Sequence, residues 1–353
     1  MPDRTLLVPG TQASTLADQN GTPVYNAVRV SLGLQKDELG GRPPDQWQAL
    51  LSMEHAPGSL EPVRTSLLSG VEVHASGVVR TPYDRMLAFS EPWPYDWRGD
   101  IRYNARLLVD HLRANKPADG RWNLIGHSQG GLLIVAASAL TSSLPEFGQL
   151  VARVILVGAP LAGTMRATEA ILWGSEGLGA ANIDAARGMA RTWPALHQML
   201  PSWNAVVDPA GNAAPEDQQF VRPGGWPGSQ GVGIQPDMLQ RAVEFQEMVH
   251  GPFSRMTGVA TMAVLGNRQL SPVTVTRTGD RLPDDRKSMA NQKGDSLVPY
   301  ARTLDWGGQP YANRVMAFTG KVERHAMLCA DEDVIDATRR FIARPAPPPP
   351  ANP

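Results

Sequence analysis

A serine flanked by glycines stands between an apolar segment and a long segment rich in Ala, Leu and Val. Ser128 is the central residue of Gly126-His127-Ser128-Gln129-Gly130, after Trp122–Ile125 and before Leu132–Leu140. In a strand–turn–helix unit of this kind the sharp turn projects the serine outward, and side chains larger than glycine would clash beside it. The residue after the serine begins the helix, so its N–H is free to stabilise a developing oxyanion. The pattern predicts that Ser128 is a nucleophile.

A serine hydroxyl is a weak nucleophile and needs a general base. The sequence contains seven histidines, at positions 55, 74, 111, 127, 197, 250 and 325. Only His325 follows a late apolar segment, Arg314–Phe318, and precedes the last predicted helix, where the chain order serine, acid, histidine requires the base. His127 is expected to point beside the serine. His74 and His111 are expected at packing or surface positions. His197 and His250 are expected on the surface, with the lining of a pocket as the alternative.

Two aspartates compete for the acid that orients the base. Asp295 lies in the polar segment Gly294–Pro299, and Asp280 lies in Arg277–Asp280. A carboxylate at either place could select the histidine tautomer and stabilise the imidazolium. Spacing alone places Asp295 only slightly ahead of Asp280. The oxyanion would be bound by the backbone of Gln129 and by the loop Val8–Gln12 after an early strand.

The elements needed to position these residues are short apolar runs alternating with helical patterns, which is typical of a mostly parallel sheet flanked by helices. The predicted strands are Leu6–Val8, Val71–His74, Leu87–Phe89, Trp122–Ile125, Val154–Val157, Thr261–Leu265, Val273–Thr276 and Val315–Phe318. Asp100 is predicted to cap a helix that begins at Ile101, and Asp331 a helix that ends near Ile342. The sequence therefore indicates an α/β fold.

Two long stretches, residues 17–70 and residues 164–258, do not follow this alternation. Residues 164–258 contain four tryptophans and Gly/Pro-rich spacers, and are too long for a loop without structure of its own. We expect them to form a lid inserted into a core made of residues 1–163 and 259–343. Residues 344–353 are proline-rich and are expected to be a disordered tail.

Composition excludes other classes of protein. The chain has 353 residues, 42% of them hydrophobic, and a formal net charge of −1 without a basic block, which argues against a nucleic-acid partner. Cys329 is the one cysteine, so no intramolecular disulfide can form. The segment Met1–Arg4 leads directly into a predicted core strand, so no signal peptide is expected. No apolar run in the sequence approaches about 18 residues, so no transmembrane helix is expected. These features predict a cytoplasmic protein, and no metal-ligand spacing or cofactor fingerprint is present.

Six segments, taken in order, resemble the motifs of the lecithin:cholesterol acyltransferase (LCAT) family, which includes lysosomal phospholipase A2 and phospholipid:diacylglycerol acyltransferases. They are Val8-Pro9-Gly10 with Ser14 and Leu16, Pro94-Tyr95-Asp96-Trp97-Arg98, Gly126 to Gly131, Gly158 to Thr164, Arg191 to Pro201 and Gly294 to Pro299. The resemblance extends from residue 5 to about residue 342. It implies the α/β-hydrolase fold with an inserted lid, or cap, and it implies a function in lipid metabolism.

The resemblance also implies roles for single residues. Ser128 would be the nucleophile, Asp295 the acid in preference to Asp280, and His325 the base, with oxyanion donors from the backbone of Thr11 and Gln129. We interpret Asp96 and Arg98 as a structural ion pair that supports the site.

The predicted function is that of a serine-dependent acyl-ester enzyme, an O-acyltransferase or a lipase or phospholipase, acting through an acyl-serine intermediate. Its expected partners are a lipid ester substrate and, transiently, a membrane surface. A cytoplasmic carboxylesterase for a nonlipid ester and a non-catalytic binding module of the same fold are the alternatives.

Overall fold

The computed structural model describes residues 3–26, 44–141, 144–175, 183–227, 231, 233–250, 258–284, 286–304, 314–318 and 324–350. The strands are β1 (Arg4–Val8), β2 (Ser14–Asp18), β3 (Pro23–Tyr25), β4 (Glu54–His55), β5 (Pro62–Arg64), β6 (Val73–Val78), β7 (Glu91–Pro92), β8 (Trp122–His127), β9 (Val151–Val157), β10 (Val206–Val207), β11 (Ala260–Gly266), β12 (Gln269–Thr276), β13 (Met289–Gly294) and β14 (Arg314–Phe318). The α-helices are α1 (Pro44–Leu51), α2 (Asp84–Leu87), α3 (Ile101–Ala114), α4 (Gln129–Leu140), α5 (Leu144–Leu150), α6 (Met165–Leu172), α7 (Ile183–Ala190), α8 (Pro194–Gln198), α9 (Pro236–His250), α10 (Tyr300–Leu304) and α11 (Glu332–Ile342). Short 3-10 helices span Glu216–Gln218, Pro223–Gly225, Arg286–Ser288 and His325–Ala330.

The centre of the molecule is a six-stranded parallel sheet in the order β14-β11-β9-β8-β1-β7. Every residue of β8 and β9 is buried, because helices cover both faces of the sheet. The chain winds from β1 to β7 on one side, then crosses to β8 on the other side of β1. Open α/β sheets bind ligands at such a reversal, beyond the carboxyl ends of the strands. The predicted α/β-hydrolase fold is confirmed.

Helices α3 and α4 show why these segments fold beside the sheet. The Asp100 carboxylate accepts a hydrogen bond from the Arg102 N–H and so caps α3, as predicted. Ile101, Leu108 and Leu112 are on the buried face of α3, which packs against α4. Helix α4 is buried along most of its length, so the segment that follows Ser128 is enclosed by protein on all sides.

Three of the predicted strands differ from the observed ones. Leu87–Phe89 does not form a strand: Leu87 ends α2, whose Met86 is fully buried, and the short edge strand β7 follows. Strand β6 begins two residues after Val71 and pairs antiparallel with β2, outside the main sheet. Strand β12 includes the predicted Val273–Thr276 but belongs to a second sheet, β10-β12-β13. The apolar runs indicated β6 and β12 without revealing which sheet each strand joins.

The described part of residues 164–258 contains α6 to α9 and β10. Because β10 pairs with β12, this region shares a sheet with the segment after residue 258. The lid boundaries remain a prediction.

Residues 345–350 are described and form neither helix nor strand, and the Pro347 carbonyl accepts a hydrogen bond from Arg121. That the tail is disordered remains a prediction. Across the described ranges, no helix combines the length and apolar character needed to span a membrane.

Candidate active site

Ser128 lies on the sharp turn between β8 and α4, with φ 53° and ψ −125°. A Cβ on Gly126 would lie 2.7 Å from the Gly131 Cα, and a Cβ on Gly130 would overlap the Val8 carbonyl oxygen. The turn can therefore form only with glycine at these two positions. The steric requirement inferred from the sequence is explained by contacts with α4 and β1.

Asp295 and His325 meet at the carboxyl end of the sheet. His325 Nδ1 lies 2.8 Å from Asp295 Oδ2, and both side chains are buried. The other carboxylate oxygen, Oδ1, accepts hydrogen bonds from the Leu297 N–H at 3.0 Å and the Val298 N–H at 2.7 Å. Because a carboxylate can only accept, Nδ1 donates and Nε2 is left as the unprotonated ring nitrogen. This arrangement gives the imidazole a basic atom.

The competing acid, Asp280, is far from such an arrangement. Its side chain is 95% exposed and pairs with Arg277 at 3.0 Å. An exposed carboxylate of this kind cannot orient a buried imidazole. Sequence reasoning from spacing left both aspartates open, and their burial distinguishes them.

The two expected oxyanion donors are in contact through their side chains. The Thr11 hydroxyl donates to Gln129 Oε1 at 2.7 Å, and Gln129 Nε2 donates to the Trp97 carbonyl at 3.0 Å. The Gln129 N–H lies in the first turn of α4, where the helix itself offers no acceptor. The Gln129 side chain thus connects the loop after β1 with the Tyr-Asp-Trp-Arg motif, a connection the sequence did not indicate.

The motif Tyr95–Arg98 is hydrogen-bonded to the chain that follows β1. The Tyr95 hydroxyl donates to the Pro9 carbonyl at 2.8 Å, and the Trp97 indole N–H donates to the Ser14 carbonyl at 3.1 Å. Arg98 is fully buried and pairs with Asp96 at 2.7 Å. The expected ion pair is present, and hydrogen bonds from the motif hold the chain at Pro9 and at Ser14, on either side of Thr11.

Three other histidines can be compared with their predicted positions. His74 is exposed on β6 and His111 lies on α3, as expected. The expectation that His197 lies on the surface is wrong: it is fully buried in α8, where Nδ1 donates to the Trp193 carbonyl, and burial lowers its pKa to about 4. Helix α8 packs against α3, α6 and α9, so it has no free face. The His250 side chain lies outside the described residues.

His127 has a partner that sequence reasoning missed. Its Nδ1 lies 2.6 Å from the hydroxyl of Tyr83, which is fully buried. Tyr83 is 44 residues from His127 and lies in no recognisable motif, so no feature of the sequence indicated it.

A cavity of about 720 Å³ contains the side chains of Ser128 and His325. Its lining is mostly apolar and includes Val79, Ala170, Leu196, Met199, Leu297, Val298 and Met327. Among the described residues, the charged groups that line it besides the site residues are Arg166 and Glu169, which pair at 2.5 Å. A larger cleft of about 850 Å³ lies between β6 and the start of α3 and does not include Ser128. In the described part of the chain no cluster of His, Cys, Asp or Glu could bind a metal ion.

One solved structure with a TM-score above 0.5 supports the fold, and two further structures are matched at lower scores. One chain of the Tle4-Tli4 complex matches at 13% identity with a TM-score of 0.59, covering 97% of this chain and 98% of that one. The mature lipase BlEst2 of Bacillus licheniformis matches at 11% identity and a TM-score of 0.39, covering 96% and 91%. The lin2722 gene product of Listeria innocua matches at 10% identity and a TM-score of 0.38, covering 98% and 95%.

No curated protein sequence matches this chain. Residues 83–250 match the model of the family described as lecithin:cholesterol acyltransferase. The matched segment begins at Tyr83 and includes the Tyr95–Arg98 motif, the turn at Ser128 and helices α6 to α9. Residues 83–250 are therefore similar to the LCAT family, and they lie within a chain that has the α/β-hydrolase fold.

Proposed function

We propose that this protein is a serine-dependent enzyme that transfers or hydrolyses acyl groups of lipid esters through an acyl-Ser128 intermediate. The observation that supports it most is the 2.8 Å bond between His325 Nδ1 and Asp295, in a buried site that opens into the same cavity as Ser128. The LCAT family match supports ester chemistry.

In the proposed reaction Ser128 Oγ attacks the ester carbonyl carbon while His325 Nε2 accepts the hydroxyl proton. Asp295 stabilises the imidazolium that forms. The negative charge on the carbonyl oxygen is stabilised by the N–H groups of Thr11 and Gln129. When the C–O bond breaks, His325 returns the proton to the departing alcohol, and the acyl group remains on Ser128.

A second nucleophile then removes the acyl group. Water gives a carboxylic acid and makes the enzyme a lipase or phospholipase, whereas an alcohol gives a new ester and makes it an O-acyltransferase. Residues 164–258 would act as the lid that controls access of water to the acyl-enzyme. Leu196 and Met199 of this region line the cavity, which supports such a role.

Lipid is the proposed substrate because the cavity offers mainly apolar contacts to an acyl chain. Such a substrate would be reached by transient contact with a membrane surface, and we infer a cytoplasmic location for the protein. The alternative, a carboxylesterase for a nonlipid ester, uses the same residues and differs in acyl-chain preference.

The nucleophile can be tested with a fluorophosphonate probe, which reacts covalently with activated serines. Wild type should be labelled and Ser128→Ala should not. Ser138→Ala is the matched control, because Ser138 lies on the same helix and its hydroxyl donates to the Val135 carbonyl. Labelling of folded Ser128→Ala at the wild-type level would refute the proposal.

The substrate can be tested with p-nitrophenyl esters of graded chain length and with phospholipid plus a long-chain alcohol. We expect activity to rise with chain length. Free fatty acid alone identifies a hydrolase, and a new ester identifies a transferase. Activity confined to the shortest ester would favour the nonlipid carboxylesterase. A folded protein that turns over none of these esters and is not labelled would be a binding module.

A further inference from the structure

Tyr83 and His127 form a hydrogen-bonded chain behind the candidate site. The Gly10 N–H donates to the Tyr83 hydroxyl oxygen at 3.0 Å, and this hydroxyl lies 2.6 Å from His127 Nδ1. At the far end, His127 Nε2 lies 3.0 Å from the backbone carbonyl oxygen of His325. Gly10 immediately precedes Thr11, so the chain connects the loop of one proposed oxyanion donor with the residue proposed as base.

The direction of every hydrogen bond in this chain follows from its two ends. A backbone N–H can only donate and a backbone carbonyl can only accept. His127 Nε2 must therefore be protonated to bond His325, which leaves Nδ1 of a neutral ring as the acceptor. The Tyr83 hydroxyl accepts from Gly10 and donates to His127 Nδ1, so each proton has one acceptor.

The environment of His127 is consistent with this neutral tautomer. Burial is the main reason why its pKa is lowered to about 3, and the neighbouring His325 lowers it further. The two imidazole rings lie with centroids 5.1 Å apart. A charged His127 would oppose formation of the His325 imidazolium, and a neutral one does not.

The backbone of His325 is thereby bonded on both sides. Its N–H donates to the Asp295 carbonyl at 2.8 Å, and its C=O accepts from His127. Together with the bond from Nδ1 to the Asp295 carboxylate, these contacts determine where Nε2 lies relative to Ser128. Without His127, the backbone carbonyl oxygen of His325 would lose this hydrogen bond, and the position of the imidazole would be less constrained.

We propose that Tyr83 and His127 are positioning residues. Their hydrogen-bonded chain holds the loop Val8–Gln12, which contains Thr11, in a fixed position relative to the backbone of His325. The proposal rests on the proposed acyl-ester chemistry. Neither residue touches the reacting atoms in this role. Their contribution is to keep the donor at Thr11 and the base at His325 aligned on one tetrahedral intermediate.

Steady-state kinetics on Tyr83→Phe and His127→Leu test this assignment. Each should lower kcat by about 10- to 100-fold, since small displacements of catalytic groups have effects of that size, while KM changes little. Because the two residues act as one unit, the double variant should lose no more than the worse single variant. His127→Gln can still donate to His325 and accept from Tyr83, so it should recover much of the activity lost in His127→Leu.

Tyr95→Phe is the matched control. It also removes a buried tyrosine hydroxyl that bonds the same loop, at the Pro9 carbonyl, but it is not part of the chain to His127. Its loss of kcat should multiply with that of His127→Leu. Wild-type kcat in folded Tyr83→Phe, or multiplicative losses for Tyr83→Phe with His127→Leu, would overturn the assignment.

The test does not depend on every variant folding. If Tyr83→Phe does not fold, His127→Gln can still be compared with His127→Leu. If the His127 variants do not fold, Tyr83→Phe can still be compared with wild type. Equal kcat for Gln and Leu would overturn the assignment as well. An inactive Ser128→Ala combined with a fully active Tyr83→Phe would refute only the positioning role. Full activity in Ser128→Ala would instead refute the acyl-serine proposal.

Discussion

The turn around Ser128 and the loops of Asp295 and His325 are built in different ways. The turn is one continuous segment, and backbone contacts of Gly126 and Gly130 determine its shape. Asp295 and His325 are 30 residues apart, and hydrogen bonds between their side chains and backbones bring them together. The first region depends on steric fit, whereas the second depends on polar partners. Substitutions should therefore damage folding in the first region and chemistry in the second.

The largest expected effect is the loss of the base. His325→Ala should lower kcat/KM by about 10⁵-fold without unfolding the protein, because both backbone hydrogen bonds of residue 325 remain. Ester turnover and circular dichroism measure the two quantities. His74→Ala is the control, since His74 is exposed on β6 and should keep wild-type activity. Comparable losses in both variants would argue against His325 as the base.

The next effect is the loss of the correct tautomer. Asp295→Asn retains an oxygen for the Leu297 and Val298 N–H groups but presents an NH₂ group to His325 Nδ1. Nδ1 must then accept that hydrogen bond, so the ring proton lies on Nε2, which can no longer accept the Ser128 proton. We therefore expect kcat to fall by about 10³- to 10⁴-fold. Asp280→Asn, at the exposed competing aspartate, should leave kcat unchanged. The reverse result would assign the acid to Asp280.

A stability effect should appear at the turn. Gly130→Ala forces a methyl group into the Val8 carbonyl and should lower the free energy of unfolding by about 3 kcal/mol. Urea denaturation measures the change. In the control Gly99→Ala the new Cβ lies no closer than 3.5 Å to its neighbours, so a loss under about 1 kcal/mol is expected. Equal losses of unfolding free energy in the two variants would show that steric fit is no more important at the Ser128 turn than at Gly99.

The smallest effect depends on pH. The pKa of His197 is lowered from 6.5 to about 4 by burial, so between these values the unfolded state binds more protons than the folded state. The contribution of the neutral His197 ring to the free energy of unfolding has its full value above pH 6.5 and decreases as the pH is lowered toward 4. His197→Gln should reduce the loss of unfolding free energy between pH 7 and 4.5 by about 2 kcal/mol. An unchanged pH dependence would mean that His197 titrates normally.

Much of the fold was predictable because its strands are short, apolar and buried on both faces. Six of the eight predicted strands overlap observed ones closely, and Asp100 and Asp331 cap helices as expected. Leu87–Phe89 was misassigned because three apolar residues suit a helix end as well as a strand. The placement of β12 in a second sheet depends on pairing with β10 and β13, which no local pattern encodes.

By itself the sequence determined the segments whose shape is local. The glycines around Ser128 specify a sharp turn wherever a strand leads into a helix, since backbone overlap excludes other residues there. Only the tertiary structure decided which distant groups meet. Residue spacing left Asp295 and Asp280 open and the motif resemblance favoured Asp295, which the structure buries against His325, whereas Asp280 is exposed. Hydrogen bonds over 44 and 198 residues connected Tyr83 to His127 and His127 to His325. Such contacts depend on how the loops fold over the end of the sheet, and residue spacing along the chain does not contain that information.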